Sequence, residues 1–199
     1  GPSGSGKTVF LSFISAQAQR ILPRPKLLFV DKDRGAEIFI RAIGGQYEVL
    51  SPGEPTGFNP LYLPNTGESR EFLFQLFAFM LRRTDGTEMP ASEEQVIRTA
   101  VQAVLTGPTE GRNMPAFATL LRGRLRAGEG DLLARLETWI RPEQRGWLFN
   151  NPVDTFSLSS IYGFDMTRVL EDPVIRTAAL MYIFHRTDEL LTGDPVMIF

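Results

Sequence analysis

Residues 1–8 read Gly1-Pro2-Ser3-Gly4-Ser5-Gly6-Lys7-Thr8, an unbroken G-x-x-x-x-G-K-[ST] phosphate-loop (Walker A) pattern. Such a loop works between a strand and a helix, so it constrains the fold to a parallel α/β sheet before other residues are considered. Its glycines let backbone N–H groups curl around phosphate oxygens where a Cβ would block the approach. Lys7 supplies a compact charge for the β- and γ-phosphates, and Thr8 a hydroxyl for Mg2+. Only Lys7, Lys26 and Lys32 are lysines among 21 basic residues. An arginine-rich chain keeps a lysine at position 7, where a planar guanidinium is too broad.

The helix is expected from Val9, Phe10, Leu11, Phe13 and Ile14, whose apolar face runs toward Ile21–Leu22 before Pro23-Arg24-Pro25 ends it. Its positive end faces the phosphates, worth about 0.3–1 kcal/mol per charge. The alternative is a Gly/Ser linker that precedes a helix by chance. No strand stands before Gly1, and Pro195-Val196-Met197-Ile198-Phe199 reads as a buried strand stopping one residue short of the expected magnesium-holding acid. The expectation is a nucleotide-binding core truncated at both ends, and without turnover when made alone.

Lys26–Val30 and Gln46–Leu50 read as strands, with a short helix over Ala36–Ile43 between them. Ser51–Gly67 is a Pro- and Gly-rich loop. Helical spacing then fills Glu71–Arg83, Ser92–Leu105, Ala116–Arg126 and Asp131–Ile140, with Ser92 and Gln95 as a capping box. Ser157–Asp165 is strand-like and Val174–Leu191 helical. The organisation expected is therefore 1–67 as the first part of the α/β core, 68–150 as an all-helical insertion, and 151–199 as the return to the core.

Composition narrows the function classes. With 199 residues, no cysteine and one histidine, disulfide frameworks, Cys-ligated metals and most Ser-His-Asp arrangements are excluded. A net charge of −2 argues against broad capture of nucleic acid. No apolar run reaches the ~20 residues a membrane span needs, and the first residues read as a loop and not a leader.

Several residues carry two readings. Asp31, at the end of the Leu27–Asp31 strand, either holds Mg2+ or caps a turn. His185 is a satisfied, partly buried histidine or a functional one. Arg176 and Arg186 are solvated or salt-bridged, or one reaches a neighbour's γ-phosphate. Arg122, Arg124, Arg126 and Arg135 form a basic patch or a solvated face. Phe72, Phe74, Phe77 and Phe79 are core or a base-stacking platform.

Five segments in order, Gly1–Thr8, Phe29–Gly35, Phe58-Asn59-Pro60-Leu61, Gly163-Phe164-Asp165-Met166-Thr167 and Met181–Arg186, carry a family resemblance. The chain resembles the CagE/TrbE/VirB family of type IV secretion and conjugation ATPases, in the HerA–FtsK group of P-loop motors. The resemblance implies a P-loop NTPase fold, a RecA-like parallel sheet flanked by helices, with ATP and Mg2+ as cofactors. It also implies a hexamer working with other type IV secretion subunits, cytoplasmic and peripheral to the bacterial inner membrane, powering pilus assembly or export. Only Gly1, Pro2, Ser3, Gly4, Ser5, Gly6, Lys7 and Thr8 gain a firm role from it. Asp31, Arg34, Asn59, Arg176 and Arg186 remain unassigned. The rival functions are a DNA-translocating coupling-type motor, which predicts salt-dependent DNA affinity, and a non-catalytic nucleotide-binding scaffold.

Overall fold

Near-continuous apolar runs such as Leu27–Val30 and Ile161–Phe164 specify strands buried on both faces, the mark of a parallel sheet. In a computed structural model that describes residues 5–20, 25–125, 130–157, 161–189 and 195–199, four strands form one sheet. They are β1 (Lys26–Asp31), β2 (Gln46–Val49), β3 (Ile161–Asp165) and β4 (Val196–Ile198), all parallel, in the order β2-β3-β1-β4. The fold is thus α/β, a parallel sheet flanked by helices. Among the described residues no helix is long and apolar enough to cross a membrane.

The chain divides into two compact units. The first comprises Gly1–Ser51, Ser157–Arg176 and Ile183–Phe199, and contains the sheet. Alternate residues Leu27 and Phe29, Tyr47 and Ile161 share one sheet face, and α2 (Glu37–Ala42) covers it with Ile40, itself fully buried. Burying such a side chain contributes about 1.5–3 kcal/mol. Gly163 sits in the middle of this face: a Cβ there would lie 2.6 Å from the Tyr47 ring and closer still to the tip of Ile40. The glycine is what lets α2 lie close to the sheet.

The helix α1 (Ser5–Ala18) departs from expectation in two ways. It ends at Ala18, short of Ile21–Leu22, and residues 21–24 lie outside the described residues. Its side chains Val9, Phe10 and Phe13 are exposed, while the small Ser15 and Ala18 are buried. A helix apolar on nearly every side has no periodic stripe to name its inner face, so the sequence pattern could not choose.

The second unit comprises Pro52–Phe156 and Thr177–Tyr182. Its helices are α3 (Gly67–Met80), α4 (Ala91–Thr106), α5 (Met114–Arg122), α6 (Gly130–Glu137) and the single turn α7 (Trp147–Phe149), which follows a π-turn at Pro142–Gly146. Phe77 of α3 stacks on Phe117 of α5 at 4.1 Å between ring centroids; Phe74 and Phe77 are core, while Phe72 and Phe79 are half-buried. The capping box at Ser92 is not formed. Pro90 stands at the N-cap position with extended backbone and α4 starts at Ala91, so Ser92 is already inside the first turn. Asn113 caps α5 instead, its side chain accepting from the Ala116 N–H at 2.9 Å. The helix α8 (Pro173–Glu189) completes the order before β4.

The Pro- and Gly-rich stretch after Ser51 belongs with the helices, not with the sheet as the boundary at residue 67 supposed. Asn59, fully buried, donates through Nδ2 to the Arg112 and Asn151 carbonyls and accepts from the Leu61 N–H. Asp154 accepts from the Asn59 N–H and from the Tyr182 hydroxyl. These bonds tie residues 58–63 to the segment around residue 151.

Glu93 forms a second polar centre of this unit. It is buried, yet accepts from Arg83 at 3.0 Å and Arg135 at 2.8 Å. Burial pushes its carboxyl up, but the two guanidinium bonds outweigh it and hold the group below the usual carboxylate range. A depressed folded-state value contributes stability that is present above the unfolded value of about 4.3 and is lost as pH falls through the folded one. We therefore expect Glu93→Gln to flatten the acid limb of the urea-unfolding stability profile below about pH 4.3 and to cost roughly 1–3 kcal/mol at pH 7. An unchanged acid limb would contradict this.

Candidate functional site

The site begins where α1 begins. Ser5, Gly6, Lys7 and Thr8 form its first turn, while Gly1, Pro2, Ser3 and Gly4 lie outside the described residues. The first N–H groups of a helix lack intrahelical partners and concentrate roughly +0.5 of a charge. The helix carries no acidic residue in that first turn to neutralise it and no basic residue in its last turn. Its small residues and uncompensated positive end fit a nucleotide's phosphates, with Lys7 to supply positive charge and Thr8 a hydroxyl.

In open α/β sheets ligands bind outside the carboxyl ends of the strands. There β1 and β3 end side by side, with Asp31 and Asp165 as register partners. Asp31 accepts two hydrogen bonds from its own turn and one from Tyr47. Its Oδ1 accepts from the Lys32 N–H at 2.8 Å, and its Oδ2 accepts from the Ala36 N–H and the Tyr47 hydroxyl, each at 2.7 Å. Of the two readings of Asp31, the geometry favours the turn-holding one. Burial and the neighbouring Asp31 carboxylate push the Tyr47 hydroxyl well above the ordinary tyrosine range, so it stays a donor.

Asp165, buried at the end of β3, is held by a relay that sequence reasoning missed. The Asp33 N–H donates to Thr167 Oγ1 at 2.6 Å, and that hydroxyl donates to Asp165 Oδ1 at 2.5 Å. The available signal was an Asp-x-Thr directly after an alternating apolar run, a side-chain turn signature. The relay holds Asp33 and Arg34 in the left-handed region, at φ 59° and 56°. Such residues cost roughly 1–3 kcal/mol each and persist only when neighbours fix them. Arg34 is fixed by Glu37, which accepts from its Nε at 2.6 Å and its Nη2 at 2.9 Å. Bonds from Arg34 and Arg41 draw the Glu37 carboxyl down to about 2.

If Asp31 serves its turn, Asp31→Asn removes acceptors from Tyr47 and the backbone and lowers unfolding stability by about 1–3 kcal/mol, with Tyr47→Phe costing about 1. Neither change alters nucleotide affinity more than threefold. A Mg2+-dependent affinity loss of tenfold or more in Asp31→Asn, measured by calorimetric titration, would return Asp31 to the metal.

The other candidates disperse. Arg176 donates to the Leu170 carbonyl at 3.1 Å. Arg186 and His185 lie half-buried near the end of α8. Arg135 bonds Glu93, Asp131 and the Leu81 carbonyl, and Arg124 bonds the Leu120 carbonyl, so these two are held within the helical unit; Arg126 lies outside the described residues.

No protein-family model matches the chain. Among curated proteins it is 36% identical over 199 residues to the type IV secretion system protein virB4 of Bartonella quintana, covering 100% of this chain and 25% of that protein. It is 41% identical over 207 residues to the type IV secretion system protein PtlC of Bordetella pertussis, covering 97% of this chain and 25% of that one. The chain thus spans about a quarter of the length of the curated relatives it matches. The solved structure of VirB4 of Thermoanaerobacter pseudethanolicus superposes with a TM-score of 0.75 at 14% identity, over 98% of this chain and 57% of the other. At that identity the likeness speaks to fold alone.

Proposed function

We propose, from the premise that the chain belongs to the VirB4/PtlC family of type IV secretion system proteins, that it is the nucleotide-binding part of an ATPase that powers pilus assembly or substrate export. The observation that carries this reading is the Gly6-Lys7-Thr8 opening of α1, a helix with no acid in its first turn. Residues Gly1–Thr8 would hold ATP: backbone N–H groups and the helix end take the phosphate oxygens, and Lys7 balances the β/γ charge. Thr8 would hold Mg2+, which when bound neutralises phosphate charge during phosphoryl transfer.

The sheet edge contributes rigidity. Asp31, Tyr47, Thr167 and Asp165 lock the β1–α2 turn and the end of β3, keeping the carboxyl edge of the sheet pre-formed. Within this reading the working unit is a hexamer, joined to other secretion subunits and held to the cytoplasmic face of the bacterial inner membrane through them. The 199-residue chain alone is expected to bind ATP without turning it over, since phosphoryl transfer needs acidic groups that hold Mg2+ and orient water beyond the Lys7 and Thr8 contacts.

The test is nucleotide hydrolysis by protein of the relatives' full length carrying this segment. Mg2+-dependent ATP turnover is expected. Nucleotide binding with no turnover would instead leave a non-catalytic scaffold, and turnover that requires DNA would favour a DNA-translocating motor.

A further inference from the structure

β4 is an edge strand by position and an interior strand by composition. Among the described residues it has β1 on one side and no strand on the other. In a parallel pair the N–H and C=O of one residue point to the same side, and successive residues alternate sides. The Pro195 carbonyl accepts from the Lys26 N–H, the Phe199 N–H donates to the Leu28 carbonyl, and the Phe199 carbonyl accepts from the Val30 N–H. The backbones of Pro195 and Phe199 therefore face β1, and Met197 between them does too. Val196 and Ile198 aim two N–H and two C=O groups away from the sheet.

Sheets blunt a true edge with charge, with proline inside the strand or with a cover. The opposite edge does so: β2 carries Gln46 and Glu48, and Arg41 donates to its Tyr47 carbonyl at 3.3 Å. β4 does not. Val196, Met197, Ile198 and Phe199 are all apolar. Met197 and Phe199 pack on the Leu27 and Phe29 face, with Phe199 stacked on Phe29 at 4.9 Å, and Val196 and Ile198 alternate to the other face. Apolar side chains on both faces mark a strand inside a parallel sheet, yet Ile198 is 51% exposed.

We propose that the free edge of β4 seats a further apolar strand of the same, longer polypeptide, which pairs with Val196 and Ile198 and makes β4 interior. Unspent backbone groups at a two-residue period are matched by a strand and not by a helix, whose own backbone is already paired. The source follows from size. The chain spans 25% of its relatives' length, so most of a polypeptide of that kind lies outside these residues. A second copy is a poor occupant. It would meet a three-residue edge about 10 Å long, a small part of the roughly 1,200–2,000 Å2 that a specific interface buries. A strand of the same polypeptide does not bear the translational and rotational cost of association. The inference does not rest on nucleotide binding, and its test contains no nucleotide.

The test is amide hydrogen exchange in the 199-residue chain and in protein of the relatives' full length carrying it, read residue by residue by mass spectrometry with electron-transfer fragmentation. The amides of Met197 and Phe199, which face β1, are the reference within the strand. In the longer protein the Val196 and Ile198 amides should slow by roughly a hundredfold or more relative to the short chain, at every protein concentration. There, Ile198→Pro removes an outward donor and no bond to β1, and should speed Val196 by about tenfold or more as the new ladder breaks. Val196 and Ile198 amides as fast in the longer protein as in the short chain would overturn the proposal. So would a Val196 rate that Ile198→Pro leaves unchanged, because something other than a strand would then cover the edge. Protection in the short chain that grows with its concentration would overturn it too, by assigning the edge to a second copy.

Discussion

Replacing Lys7 by alanine in protein of the relatives' full length should abolish ATP turnover, lowering it by roughly 10²–10³-fold at least. Lys7 lies in the first turn of α1 and brings the unit charge that the helix end, with about half a charge, does not supply. Phosphoryl transfer asks the protein mainly for positioning and charge, so removing that charge removes a large share of what the site offers. Lys7→Arg is expected to be nearly as damaging. The charge survives, but the planar fork does not fit a loop built for a point charge. Thr8→Ala should behave differently, retaining ATP binding in the absence of Mg2+ and losing the gain that Mg2+ brings. Steady-state phosphate release checks all three. Turnover of Lys7→Ala within tenfold of the parent would remove the phosphate loop from the chemistry.

The largest effect on stability is expected far from that loop, at Arg112. This side chain is buried at 8% exposure, and its guanidinium donates to carbonyl oxygens of Leu61, Leu63, Leu105 and Gly107. Leu105 and Gly107 lie at the C-terminal end of α4, where carbonyls lack helical partners and the dipole favours a cation. Arg112→Met keeps much of the stem and removes every donor, leaving these acceptors without the bonds they had. Each orphaned buried acceptor costs about 1–3 kcal/mol, and the set is not additive, so about 3–5 kcal/mol is expected in all. Because Asn59 holds the Leu61 N–H while the Arg112 guanidinium holds the Leu61 and Leu63 carbonyls, Asn59→Ala and Arg112→Met act on one segment and should be coupled in a double-mutant cycle. Urea unfolding measures both. A loss under 1 kcal/mol for Arg112→Met would mean that water or a shifted backbone replaces the guanidinium.

Much of this architecture is legible in the sequence, and the failures have physical reasons. Strand runs such as Lys26–Val30 and the helices over residues 71–83 and 92–105 show their periods, because each has one apolar face or two. The phosphate loop is legible because its chemistry admits few residue types. The sheet order is not: β3 enters between β2 and β1 from more than a hundred residues away, and periodicity names an element without naming its neighbours. The outward side of α1 was illegible for lack of a polar stripe. Arg112 and Glu93 were missed because arginine and glutamate are surface residues by default, and their partners come from distant segments. For Asp31 the sequence left two roles open, and the Tyr47 hydroxyl at 2.7 Å together with two backbone N–H donors supports the turn-holding one.

The central claim, that the start of α1 is a phosphate site, is tested most directly by calorimetric titration of ATP into the purified 199-residue chain and its Lys7→Ala variant. Saturable binding of one ATP per chain, weakened at least a hundredfold in Lys7→Ala with the melting temperature unchanged, is the predicted result. Equal affinity in the two proteins, or no binding by the parent chain, would contradict it.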